Sequence, residues 1–164
     1  MKRRLPVLRT ERLDLVPAVS KDAPALLRMR DASSAPDPTR DARVRALAAG
    51  NAADFGRDGY GVWVVRHDGK PAGFVGLRPR ESASEPELYY GLTTEARGHG
   101  IATEAAAAVI EHLFEIPTAT GVWAVTDPTN LASCRVLERL GMELEFEGDF
   151  DQRPSRLYRL KRPA

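Results

Sequence analysis

Cysteine is almost missing from this chain. Among 164 residues there is one, Cys134, so an internal disulfide and a zinc site built on several thiolates are both excluded. Histidine is nearly as scarce. His67, His99 and His112 stand far apart, with no H-E-x-x-H or similar ligand spacing, and a protein without metal is expected. A long apolar run is also lacking. The longest, residues 105–110, falls far short of the roughly 20 residues that cross a bilayer as a helix, so no membrane association is expected. Neither sign of charge dominates: 24 basic against 23 acidic side chains gives a net charge of +1, which argues against a nucleic-acid partner held on a basic face. The start, Met1-Lys2-Arg3-Arg4, is basic, but Arg9, Glu11, Arg12 and Asp14 break any signal-like apolar stretch behind it. The expectation is a soluble cytoplasmic protein with a free thiol.

What is present suits one domain, residues 1–164, large enough to bury its own core. Residues 10–16 alternate, with Leu13 and Leu15 against Arg12 and Asp14, as in a strand with one wet face. A helix follows, with Ser20 as N-cap and Ala25, Leu26 and Met29 on one face. Residues 33–38 read as loop. A second, short helix is expected over 41–49, stopped by Gly50-Asn51. Strands come next at 62–66 and 72–77, joined at Asp68-Gly69, a hairpin signal, and then at 87–92. A helix over 100–114, a strand over 121–126, a helix over 131–140 and strands over 142–147 and 155–161 complete the chain. Asn130 is placed to cap the last helix and Gly141 to end it. The order is β-α-α-β-β-β-α-β-α-β-β, an α/β chain with a mixed sheet.

The chemistry sits in the β-α-β unit of residues 87–126. Its two strands are parallel, and ligands bind beyond the carboxyl ends of such strands. The first strand leads to Arg97-Gly98-His99-Gly100-Ile101-Ala102-Thr103. Here a helix begins, and its first N–H groups have no intrahelical acceptor. Two glycines let an anion approach, the helix dipole favours it, and Arg97 adds a full charge. This is a diphosphate cradle. It is not a P-loop, because Gly-Lys-Ser/Thr is missing. The dinucleotide fingerprint fits poorly, with Thr103 where Gly or Ala belongs.

Arg97-Gly98-His99-Gly100-Ile101-Ala102 resembles the R/Q-x-x-G-x-G/A signature of the GNAT acetyltransferase superfamily, which cradles the pyrophosphate of acetyl-coenzyme A. The segment from Asn130 through Ser133 to Gly141-Met142 is similar to the N-x-x-S-x-x-x-x-x-x-x-G-F/M run of the branch that acetylates the N-terminal amines of ribosomal proteins. Thr10-Glu11-Arg12-Leu13 and Gly73-x-x-Gly76 are typical of that branch too. The resemblance implies a GNAT-like fold and acetyl-CoA as cosubstrate. It also implies direct attack of an amine on the thioester in a ternary complex, carried by a monomer or homodimer. Leu92 and Thr94 would hold the pantetheine arm by main chain. The cradle residues, His99 and Thr103 included, would hold the diphosphate.

Individual residues carry two readings. Asn130 caps a helix and, by the resemblance, also bonds the pantetheine arm. Ser133 either satisfies a local backbone group or protonates the leaving thiolate. Many GNAT enzymes use a tyrosine four residues further on for that step, where this chain has Leu137. Glu87 is either a solvated strand-end charge or the base that deprotonates the amine through water. Tyr89 and Tyr90 point to opposite faces. Cys134 reads as a buried structural thiol. The acidic row Glu143, Glu145, Glu147, Asp149 and Asp151 reads as the wet face of a strand. Acceptor specificity is expected from residues 31–60 and 147–155. A non-catalytic acyl-CoA-binding module and a different nucleotide-binding α/β protein stay open as alternatives.

Overall fold

The structure, a computed structural model, describes residues 4–29, 38–80, 83–150 and 152–164. Most of the loop expected over 33–38 and Asp151 lie outside the described residues, as does part of the expected acceptor region.

Among the described residues, eight strands form one sheet in the order β1-β2-β3-β4-β5-β6-β8-β7. They are β1 (Leu8–Arg9), β2 (Leu13–Pro17), β3 (Val62–His67), β4 (Lys70–Arg80), β5 (Ala83–Leu92), β6 (Gly121–Thr126), β7 (Glu143–Phe150) and β8 (Arg153–Lys161). The helices are α1 (Ala23–Arg28), α2 (Pro38–Asp58), α3 (Ile101–Phe114) and α4 (Leu131–Arg139). The expected order holds, with the two-residue β1 added. The period-two pattern of β2 buries Leu13 and Leu15 and exposes Asp14. β3 reads Val-Trp-Val-Val, and all four residues are buried because helices cover both faces. Asp68 and Gly69 turn the β3–β4 hairpin with φ of 51° and 73°, the backbone that a two-residue type I′ turn requires.

Two clusters share the sheet. The larger packs α3 and α4 on one face through Ile101, Ala105, Val109, Leu113 and Leu137. The smaller packs α1 and α2 on the other through Leu26, Met29 and Ala48. Two expectations change here. Helix α2 does not stop at Gly50-Asn51. Asn51 is fully buried, donating to the carbonyls of Ala18 and Val62 and accepting from Val62 N–H. A residue that favours turns in isolation is kept helical by partners at Ala18, just past β2, and at Val62 of β3. Ser20 is not a cap either. It lies in a single 3-10 turn, Ser20–Asp22, and the capping oxygen is Asp22 Oδ2, which accepts from Val19 N–H at 2.8 Å.

The site is prepared by one irregularity. All pairings are antiparallel except β5–β6, which is parallel and registers only at Glu87 with Trp123. Thr93 N–H donates to Ala72 O on β4. By the alternation of an antiparallel ladder, Tyr90 and Leu92 therefore turn their main-chain groups toward β6, beyond the last pairing. The strands splay there. Behind the splay, Arg159 of β8 reaches across to Glu85 with Nε–Oε2 at 2.8 Å and Nη2–Oε1 at 2.7 Å, and Thr120 adds a third bond. This pair, a buried carboxylate and a half-buried guanidinium, pins the sheet below the point where it opens.

Candidate active site

The splay opens into a cavity of about 900 Å³ between the end of β5, the start of α3 and the start of α4. The turn before α3 is built on two left-handed glycines, Gly98 with φ 79° and Gly100 with φ 75°. A Cβ on Gly98 would meet nothing within 4 Å, and one on Gly100 only Arg12 Nη2 at 3.6 Å. Within the chain the glycines are thus required by backbone conformation and not by space, because L side chains resist that region. Gly100 is the N-cap of α3 and offers no side-chain cap, so the N–H groups of Ile101, Ala102 and Thr103 begin the helix without intrahelical acceptors.

Thr103 Oγ is a buried hydroxyl with no hydrogen-bond partner among the described residues. Such a group is costly unless something outside the chain satisfies it. With the free N–H groups and Arg97 on the rim, it forms a donor set suited to phosphate oxygens. Arg135 and Arg139 of α4 also line the cavity, a cationic edge that the sequence reading did not anticipate.

Across the cavity from the glycine turn, Asn130 Oδ1 accepts from Ser133 N–H at 3.1 Å and caps α4 as expected. Asp127 Oδ1 accepts from both Thr129 N–H and Thr129 Oγ, closing the turn that leads to the cap. Gly141 ends the helix with φ 81°. Ser133 faces the cavity, and its Oγ lies 2.8 Å from the hydroxyl of Tyr90. Tyr90 is on the α3–α4 face of β5, and burial pushes its phenol up. Tyr89 is on the α1–α2 face against Phe74, with Arg78 stacked 5.1 Å from its ring.

Not every expected residue meets the cavity. Leu92, Arg97, Gly98, Gly100, Ile101, Ala102, Thr103, Asn130 and Ser133 line it. Thr94 does not: β5 ends at Leu92. Thr94 sits in a 3-10 turn, Thr94–Ala96, where its carbonyl accepts from Arg97 N–H. His99 does not line it either. Its ring is exposed, and its carbonyl accepts from Arg12 Nη1 at 2.9 Å. Glu87 lies on the α1–α2 face of β5, half-buried, and Arg78 Nη2 is 2.9 Å from its Oε1. Cys134 is buried, with Arg156 Nη1 at 3.7 Å. The acidic residues of β7 are exposed, but so are Leu144 and Phe146 at 48% and 45%. A register shift between these two residues at the sheet edge leaves both faces of the strand open.

Arg12, read from the sequence only as part of the Thr10–Leu13 motif and the wet face of a strand, has contacts that the sequence did not disclose. Besides His99 O, it binds Glu104 of α3 through Nε at 2.7 Å and through its own N–H at 3.0 Å. Thr10 Oγ donates to the same carboxylate at 2.6 Å. Desolvation pushes the Glu104 carboxyl up, but the bonds from Thr10 and Arg12 outweigh it and hold the group below its ordinary range. The Thr10–Leu13 motif was visible in the sequence; its partner was not.

Among the described residues, no three or more His, Cys, Asp or Glu cluster as a metal would need, and no helix is long and apolar enough to cross a membrane.

Residues 12–143 match the family model described as the acetyltransferase (GNAT) domain. The uncharacterized protein YkkB of Bacillus subtilis is 34% identical over 90 residues, 51% of this chain and 52% of that protein, so the match spans about half the length of this curated relative. An acetyltransferase from Agrobacterium tumefaciens is 27% identical with a TM-score of 0.80, covering 98% of this chain and 96% of that one. RimL, a ribosomal-protein alpha-N-acetyltransferase solved with coenzyme A, shares the fold: 18% identity, TM-score 0.77, covering 95% and 98%.

Proposed function

The chain belongs to the GNAT acetyltransferase family, and from that premise we propose that it transfers the acetyl group of acetyl-CoA to an amine nitrogen by direct attack. The observation that carries this reading is the split between β5 and β6, with a phosphate-suited helix start on one side and a capped helix carrying Ser133 on the other.

The diphosphate would lie on the N–H groups of residues 101–103 and on the Thr103 hydroxyl, with Arg97 and the Arg135–Arg139 edge supplying positive field. The pantetheine arm would run along the main chain of Tyr90 and Leu92 as an added strand, with Asn130 beside it. A main-chain N–H of β5 would polarise the thioester carbonyl. The amine would approach from the α1–α2 face, where Glu87 takes its proton through water. Ser133 would return a proton to the departing sulfur. Thr94 and His99 keep a supporting part: one fixes the turn through Arg97, the other anchors Arg12. RimL acts on a ribosomal protein, which makes peptide N-termini the first acceptors to try, with small-molecule amines beside them. A cytoplasmic setting and a monomer or homodimer complete the proposal.

The test is an acceptor screen that reads free thiol released from acetyl-CoA. Release with an amine, and acetylated product by mass, is the expected result. Tight CoA binding without release for any amine would instead make the chain a binding module. Absence of CoA binding would remove the cradle assignment.

A further inference from the structure

Ser133 is a weak acid to set against a thiolate. Its hydroxyl holds its proton more tightly than a thiol does, so on its own it would hand the proton over at a cost. The tyrosine that would help from α4 is replaced by Leu137, which is 1% exposed and packed in the core. Another tyrosine reaches Ser133 from a different element. Tyr90 leaves β5 on the cavity side, 43 residues before Ser133, and ends 2.8 Å from its Oγ. The contact is fixed at both ends. Tyr90 stands opposite Val75 in the β4–β5 register, between residues that bond β4, and Ser133 is held by the Asn130 cap. Both side chains line the cavity. Burial keeps the phenol protonated, so it stands as a donor at neutral pH.

We propose that Tyr90 is the proton reserve behind Ser133, so that the two hydroxyls form a relay from β5 to α4 that serves the leaving thiolate. The inference rests on the acetyl-transfer reading above. As the C–S bond breaks, sulfur takes the Ser133 Oγ proton, and Oγ takes the proton of the Tyr90 hydroxyl. The phenolate then recovers a proton from solvent, matching the one the amine lost. The net donor becomes a phenol, which even with burial holding its proton more tightly than usual is a far stronger acid than a serine hydroxyl, so no free alkoxide has to form. Tyr90 acts through Ser133 and is a positioning residue for it.

The experiment is a double-mutant cycle with Tyr90→Phe, Ser133→Ala and the pair, measured as kcat with the acceptor found by thiol release and as CoA affinity by calorimetry. Tyr90→Phe keeps the ring and its packing. The expected result is a fall in kcat of about tenfold or more for Tyr90→Phe, CoA affinity within twofold of the parent, and a double variant no slower than Ser133→Ala alone. Additive losses would show that Tyr90 works independently of Ser133 and would overturn the relay. So would full kcat in Tyr90→Phe, which leaves acetyl transfer and the Ser133 assignment standing. A mild Ser133→Ala beside a severe Tyr90→Phe would put the phenol itself at the sulfur, also against the relay. If the parent protein releases no thiol with any amine, the transfer reading fails and the relay with it.

Discussion

Arg12 and Glu104, 92 residues apart in sequence, meet with both Nε and Nη2 of the guanidinium 2.7 Å from one carboxylate oxygen, Oε2. The same guanidinium holds the His99 carbonyl. The N-terminal arm of the chain thus clamps the glycine turn from outside, fixing the N–H groups at the start of α3.

Loosening that clamp should cost cofactor affinity. Glu104→Gln is expected to weaken CoA binding by up to about tenfold, about 1.4 kcal/mol, read by calorimetry. A pH effect accompanies it. The folded-state carboxyl is held below its ordinary value, so its contribution to stability is complete above the unfolded value of about 4.3 and is lost as pH falls through the lower folded value. Melting temperatures taken between about pH 5 and pH 3 should therefore fall less steeply for Glu104→Gln than for the parent. Equal slopes would show that the pair adds nothing to folding.

Gly100→Val should weaken CoA binding at least tenfold, about 1.4 kcal/mol. A left-handed backbone at φ 75° resists a β-branched residue, so the turn must shift and carry its N–H groups away. The strain should also lower stability by about 1–2 kcal/mol. Unchanged affinity in the folded variant would refute the cradle.

Cys134→Ala should keep most activity, and initial-rate plots against both substrates should intersect. The thiol is buried beside Arg156, and among the described residues no carboxylate or imidazole is placed to activate it. Parallel plots, or an acetylated protein mass after acetyl-CoA alone, would make Cys134 a nucleophile.

Glu87→Gln should lower kcat/KM below the pKa of the acceptor amine and recover at higher pH, where free amine is abundant. Removing the Arg78 partner while keeping Glu87, as in Arg78→Met, separates charge from base. An unaltered pH profile in Glu87→Gln would leave deprotonation to bulk water.

Asn51→Leu should destabilise the protein by about 2–4 kcal/mol in urea denaturation, because Val62 N–H and two carbonyls lose a buried partner. A loss under about 1 kcal/mol would mean that these groups find other partners.

Legibility followed distance along the chain. The glycine turn that starts α3, the Asn130 cap and Gly141 were readable because each is set by neighbours within one turn, where helix-end and glycine rules apply directly. The length of α2 was not, since Asn51 is held in the helix by bonds to Ala18 and Val62, which lie far from it in sequence. Nor were the bonds from Tyr90 to Ser133 and from Arg12 to Glu104. Both join elements brought together by the sheet, and nothing local in either partner specifies the other. Thr94 was misplaced because its extended reading gave way to a 3-10 turn that starts two residues after β5 ends.

An interior strand that behaves as an edge has a consequence for turnover. Past Glu87 and Trp123, β5 keeps main-chain groups that no neighbouring strand bonds, and on the acetyl-transfer reading the pantetheine arm bonds them. A ligand taken up only by the folded state adds about 2.7 kcal/mol at a hundredfold excess over Kd, a sizeable share of a typical domain's 5–15 kcal/mol. Cofactor supply would then govern how long the chain survives proteolysis, so a cell short of CoA would hold less of the protein as well as a less active form of it.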